Sequence, residues 1–333
     1  MASACYYALF TCFLIIISRI GDANGYTNAL DSEIARKHEL WMAEHGRVYK
    51  DEAEKARRFE IFKENVEYIE DFNNAGKHRY TLGVNLFADL TSEEFLATYA
   101  SGFKKPEPEI EESLRSVKYE TTVEQTNISS IPASFDWRDV GAVAPVKFQM
   151  LCNCCWAMTA ASTIESLGKI KTGVLYTLST QQIIDCDKGN NGCKPGTVHG
   201  AYRYVVRNRG LTTEATYPYK DVEGKCDFTK EKKTVATING YKTVARNEQA
   251  LMAAASKDLQ LYRGGIFHGS CGTAVNHAVT VIGYGESSKD KYWIVKNSWS
   301  SKWGENGYIR MEKDVPSPSG MCGITEWAVY PTM

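Results

Sequence analysis

The run Leu151-Cys-Asn-Cys-Cys-Trp156 decides the reading of this chain, because a helical pattern opens at its last cysteine. Ala157, Ala160, Ile164 and Leu167 follow at helix spacing, which puts Cys155 at a helix N-terminus. The partial positive charge of a helix end favours thiolate over thiol. Downstream, Val-Asn-His-Ala-Val occupies 275–279 and Lys-Asn-Ser-Trp occupies 296–299. A cysteine, a later histidine and a later asparagine suit nucleophilic catalysis. The thiolate attacks a carbonyl, the imidazole moves the proton, and the amide holds the imidazole. A lone cysteine beside a tryptophan is ordinarily a core residue. The two downstream motifs turn the reading toward Cys155 as nucleophile, with His277 as its partner. His268, in Ile-Phe-His-Gly, is the nearby decoy.

Upstream, Glu54, Arg58, Phe62, Asn65, Ile69 and Asn73 fall on one face of a helix. Gly83, Asn85, Phe87 and Asp89 follow. The segment from Lys104 to Thr126 is charged, carries Pro106 and Pro108 and has few bulky apolar residues. It reads as an exposed linker suited to proteolytic removal, and Asn127-Ile-Ser is a glycosylation acceptor within it. After the Cys155 stripe, Val198, Ala201, Tyr202 and Val205 give a second helical stripe, closed by Gly210. From Thr234 onward strand-like runs dominate: Val235–Ile238, Ala278–Ile282, Tyr292–Val295 and Tyr308–Met311. Helices first and strands later imply an α+β fold, an α half packed on a β half.

These motifs together resemble the papain-like cysteine proteases, most closely plant enzymes of the bromelain type. The stripe from Glu54 to Asn73 matches the interspersed helix motif of the family's propeptides, and Gly83, Asn85, Phe87 and Asp89 match the second. Ile131-Pro-Ala-Ser-Phe-Asp-Trp-Arg138 resembles the start of the mature enzymes. The resemblance implies a two-lobed fold with a β-barrel-like right half, preceded by a helical inhibitory propeptide. It implies a cysteine endopeptidase precursor working through a thioester at Cys155. Gln149 and the Cys155 N–H would face the oxyanion, and Asn297 would hold His277 under the cover of Trp299. Gly196, Val275, Asn276 and Trp299 would contact substrate. It further implies the disulfides Cys152–Cys193, Cys186–Cys226 and Cys271–Cys322, which leaves Cys154 as a spare thiol able to capture Cys152 or Cys155. Partners would be protein or peptide substrates, the chain's own propeptide and cystatin-type inhibitors, with the protein a monomer.

The family pattern is broken in places. Asn153-Cys154 stands where the family has Gly-Ser, Met150 where it has Gly, and Lys194-Pro195 where it has Asn-Gly. Side chains at Asn153 and Pro195 should narrow the primary pocket. Asn297 follows Cys155 by the usual interval of about 130–150 residues, whereas His277 comes early. The shortfall localises between Asn247 and Leu261, where about a dozen residues, more than one typical strand, are missing. A papain-like protein that binds or stores rather than cleaves, or one acting on a small molecule, is the alternative.

Length and composition agree with one peptidase domain plus extensions: 333 residues, 43% hydrophobic, net charge −1. That balance argues against a nucleic-acid partner. Tyr6 to Ile17 is apolar and small residues follow at Gly21, Ala23 and Gly25, so residues 1–24 read as a cleaved secretory signal rather than a short anchor. Residues 25–130 are then propeptide and linker, and 131–333 the peptidase domain. Secretory passage to the cell exterior, vacuole or lysosome permits disulfides. A metal cluster of Cys152, Cys154, Cys155 and Cys193 lacks two-pair metal spacing, so no metal and no cofactor are expected.

Overall fold

The computed structural model describes residues 31–105, 132–243, 252–253, 255–271, 275–288 and 290–333. The signal at 1–24, the acceptor Asn127 and most of the linker lie outside the described residues. Contacts divide the chain into two compact units, Met1–Glu70 with Ala88–Leu90, and Asp71–Phe87 with Thr91–Met333. The boundary between these two units falls after Glu70, within the segment read as pro-region.

The first unit holds a helix over 31–45 (α1) and most of α2, Glu52–Asn74. Ile34, Trp41, Phe62, Val66 and Ala88 form its core, each large side chain contributing about 1.5–3 kcal/mol on burial. The two pro-region motifs meet here. Arg58 takes Glu54 at 2.7 Å and donates to the Asp89 carbonyl at 2.9 Å. Asn65 donates to the carbonyls of Ala88 and Leu90. The helix-face stripe is therefore a clamp on the backbone of the second motif.

The second unit continues with β1 (Tyr80–Leu82) and α3 (Ser92–Tyr99), which opens on a capping box between Thr91 and Glu94. Then come β2 (Phe135–Asp136), α4 (Cys155–Thr172), α5 (Thr180–Cys186), α6 (Val198–Asn208) and α7 (Phe228–Glu231). They are followed by β3 (Gly240–Thr243), β4 (Met252–Ala253), α8 (Lys257–Gln260), β5 (Tyr262–Phe267) and β6 (His277–Ala278). Finally β7 (Thr280–Ser287), β8 (Asp290–Lys296), β9 (Tyr308–Glu312) and β10 (Val329–Thr332) complete the unit.

Helices α4–α7 precede most of the strands, as read from sequence, although β2 comes before them and the short α8 lies among the strands. Among the described residues the β half is an open six-stranded sheet, β1-β5-β9-β8-β7-β2, with no closed barrel. Its two edges come from opposite sides of the linker: β1 from the pro-region and β2 from the start of the peptidase region. The run Val235–Ile238 is not a regular strand; it makes an isolated bridge at Ala236, because Leu211 is its only ladder partner among the described residues. The helix α6 ends on Arg209, itself in the left-handed conformation at φ 59°, one residue before Gly210. In the stretch read as short, β4 pairs with β6, laying Ala253 opposite His277. Residues 244–251 and 254 lie outside the described residues.

The core of the α half gathers Trp156, Ala160, Ile164, Val198, Tyr202 and Val205, the faces read from sequence. Three disulfides join Cys152–Cys193, Cys186–Cys226 and Cys271–Cys322. Their separations of 41, 40 and 51 residues correspond to about 4 kcal/mol each in chain-entropy terms. No described helix is long and apolar enough to cross a membrane.

Candidate active site

Helix α4 starts at Cys155, and its N-cap, Cys154, offers no side-chain cap. The Cys155 and Trp156 N–H groups act on the Cys155 thiol, while the Ala157 N–H already donates to the Cys154 carbonyl at 2.9 Å. Across the cleft, β6 delivers His277 and the residue after β8 delivers Asn297. His277 Nε2 and Asn297 Oδ1 are 2.8 Å apart. The same Oδ1 accepts from the Ser298 N–H at 2.7 Å, so the imidazole Nε2 is the donor and Nδ1 carries the lone pair. Nδ1 has no hydrogen-bond partner. The Trp299 ring stacks on His277 with centroids 4.4 Å apart, covering the His277–Asn297 bond. Ala278 N–H points at Cys155 Sγ, 3.4 Å away.

The cleft is filled by the pro-region. Gly102 lies against the thiol, so closely that a Cβ there would come within 2.6 Å of the Asn153 carbonyl oxygen and 2.8 Å of Cys155 Sγ. Phe103 runs parallel beside Gly196. Gly196 N–H donates to the Gly102 carbonyl at 3.0 Å, and its carbonyl accepts from Lys104 N–H at 2.8 Å. Gly196 has no room for a side chain, since Trp156 and Asn190 lie within 2.7 Å of where a Cβ would stand. The Phe103 N–H donates to the Asn276 carbonyl at 3.2 Å, and its ring joins the cluster holding Val275 and Ala278. The Tyr99 carbonyl accepts from Gln149 Nε2 at 3.2 Å and from Trp299 Nε1 at 3.0 Å. Gln149 is aimed by Ser298, whose hydroxyl donates to Oε1 at 2.8 Å.

All eight residues singled out by sequence, Gln149, Cys155, Gly196, Val275, Asn276, His277, Asn297 and Trp299, thus line one cleft. Sequence reasoning missed its occupant, Tyr99–Lys104. The available signal was Ser101-Gly-Phe103, a glycine and an aromatic residue just ahead of the charged linker. His268, the decoy, directly follows β5, where Arg79, His78 and Tyr80 meet it.

Occlusion sets the electrostatics. Cys155 and His277 are both fully buried. Burial pushes the Cys155 thiol up to about 12, against the pull of the Ala278, Trp156 and own backbone N–H groups. Burial likewise pushes His277 down to about 4, with the Asn297 bond opposing. At neutral pH the blocked pair is thus uncharged on both sides. The substituted positions differ in effect. Met150 adopts φ 50°, the left-handed region where glycine is at ease. Asn153 places a backbone oxygen over Gly102 and buries its own Oδ1 without a partner. Pro195 is exposed. Cys154 is a free thiol, buried, 3.3 Å from the Tyr219 hydroxyl, while Cys152 is bonded to Cys193.

Fold and cleft define a protease precursor held closed by its own pro-region. The papain family cysteine protease model matches residues 131–332, and the cathepsin propeptide inhibitor domain matches residues 38–95. The chain belongs to the papain family of cysteine proteases. It is 44% identical to the senescence-specific cysteine protease SAG39 of Oryza sativa subsp. indica, over 100% of this chain and 99% of the relative. That alignment spans 349 positions, more than the 333 residues here, so some positions of the relative have no counterpart. Fruit bromelain of Ananas comosus is 46% identical over 90% of this chain and 86% of its own. Among solved structures, a recombinant stem bromelain precursor is similar with a TM-score of 0.81 at 45% identity, covering 90% of this chain and 99% of that one.

Proposed function

We propose that this chain is a cysteine endopeptidase precursor in which Cys155 is the nucleophile, His277 the proton carrier, Asn297 the orienting amide and Gln149 the oxyanion donor. The observation that carries it is the Tyr99 carbonyl, a pro-region group already gripped by the Gln149 amide beside the Cys155 helix. With the pro-region gone, water and substrate reach the cleft, the burial cost on both charges falls, and thiolate and imidazolium become the working pair. The thiolate adds to a peptide carbonyl and the oxyanion turns to Gln149 Nε2 and the Cys155 N–H. His277 gives its proton to the leaving amine, which breaks the C–N bond and leaves a thioester. Water, deprotonated by His277, then cleaves the thioester and frees the thiol.

Gly196 and Asn276 would pair with substrate backbone, as they now pair with Gly102–Lys104, while Val275 and Trp299 line the cleft on either side. Removal of residues 1–24 as a signal, cutting near Ile131, a glycan on Asn127, a secreted or vacuolar location, a monomeric state and inhibition by cystatin-type proteins complete the proposal. The test is peptide hydrolysis by the acid-processed chain in reductant, with iodoacetamide titration and mass mapping of the labelled residue. Label on Cys155 with stoichiometric loss of hydrolysis supports it. Label on Cys155 in a protein that never cleaves peptides would instead favour a binding or repurposed protein.

A further inference from the structure

Away from the cleft, the pro-region is also held at the edge of β5. There β1 pairs antiparallel with β5, Tyr80 opposite Gly265 and Leu82 opposite Tyr262. Just beyond, the Arg79 backbone N–H donates to His268 Nε2 at 3.1 Å. That acceptor is a lone pair which exists only while the imidazole is neutral. The groups facing His268 come from three directions. From the pro-region come the Arg79 guanidinium, the His78 ring at 5.5 Å and the Tyr80 ring edge-on at 5.3 Å. From β9 comes Glu312, whose carboxylate Arg79 holds together with Asp290. From α8 comes Asp258, which accepts from the Tyr80 hydroxyl at 2.6 Å.

We propose that His268 is the point at which the protease domain reads its own pro-region, and that gain of a proton there unlatches β1 from β5. The proposal rests on reading the chain as a self-inhibited protease. A proton on Nε2 would set two donors against each other and put a new cation beside Arg79. Burial and Arg79 hold His268 below its ordinary value of 6.5, with Glu312 opposing. The docked state therefore binds fewer protons than the released state. Docking has full strength above that ordinary value and weakens as pH falls through it, by at most about tenfold per pH unit.

The test uses the full chain carrying Cys155→Ala, which cannot process itself. Hydrogen exchange of the Tyr80 and Thr81 amides is followed at about pH 7 and about pH 5, either side of the ordinary histidine range, and corrected for intrinsic rates. Protection is expected to fall about tenfold in acid, and His268→Gln, which keeps an acceptor oxygen but does not titrate, is expected to abolish that fall. An equal fall in both chains would overturn the proposal. The absence of any fall with His268 in place would overturn it too. If His268→Gln is unprotected already at neutral pH, the NMR titration of His268 decides. A depressed midpoint that climbs further in Arg79→Pro than in Arg79→Gln, which loses the guanidinium but keeps the backbone donor, supports the latch; equal midpoints in the two variants reject it. None of these readouts needs turnover, so failure of the protease reading would show separately, as absent peptide hydrolysis by the processed wild-type chain.

Discussion

The pro-region meets the protease domain in two ways that differ in kind. In the cleft, Tyr99–Lys104 uses its backbone: carbonyls on Gln149, Trp299 and Gly196, N–H groups on Gly196 and Asn276, and a glycine against the thiol. On the sheet edge, β1 and the two residues leading into it bring polar and charged side chains: His78, Arg79 and Tyr80 against His268, Asp258, Asp290 and Glu312. The cleft contact has little that pH can alter directly and serves to exclude water and substrate. The edge contact leaves the chemistry untouched and is built from groups that pH can alter. Blocking and timing are thus carried by separate stretches of one segment.

The largest expected effect breaks the cleft side altogether. Cys155→Ala should lower peptide turnover at least ~10³-fold, measured after both chains are cut by an added protease that is then inhibited, while the uncut variant keeps the edge contact and its exchange protection. Next comes Gly102→Leu in a Cys154→Ser background. Its side chain has to displace Asn153 or the thiol, and overpacking of that kind costs about 1–3 kcal/mol. The rate of Cys155 alkylation by iodoacetamide in the unprocessed chain should rise roughly 5- to 150-fold at neutral pH. An unchanged rate would mean that the backbone at Gly102 does not guard the thiol.

On the edge side, Asp258→Asn should loosen β1 by about tenfold in amide exchange, since a hydrogen bond to a charged group is worth about 1.5–3 kcal/mol. It should leave alkylation of Cys155 less affected than Gly102→Leu does. If the two variants act equally on both readouts, the division between blocking and timing is wrong. The smallest effect belongs to Cys154→Ser. A hydroxyl can keep the Tyr219 contact, so thermal unfolding should move by about 1 kcal/mol or less, with turnover retained. Peptide mapping without reduction should find Cys154 unpaired, because its sulfur faces Tyr219 while Cys152 is held by Cys193.

Much of the site was legible because it is written in side chains. Cys155, His277 and Asn297 announce themselves by type and order, and the stripe from Glu54 to Asn73 by its period. The partners of Arg58 and Asn65 were not part of that reading, and they are backbone groups, the carbonyls of residues 88–90. What stayed hidden is written in backbone. Nothing in the side chain of Tyr99 says that its carbonyl will sit between Gln149 and Trp299, and a bridge such as Phe103 beside Gly196 has no residue code. The run at Val235 misled for a related reason: β-branched residues mark a strand only where a second strand lies alongside. His268 was read as a decoy, and its neighbours come from a segment 189 residues away, which local sequence cannot supply.

The strand β5 has one further consequence once the pro-region has been cut away. Its six residues, Tyr262–Phe267, then become the rim of the sheet, with N–H and C=O groups that formerly faced β1. Such a rim invites a strand from another molecule and is a route to ordered aggregates. Two features blunt it. Arg263 is exposed on that stretch and puts a charge on the rim, and Gly265, at φ 98°, departs from the extended conformation a docking strand would need. The released enzyme therefore keeps a built-in solubility safeguard at the very place its former partner vacates.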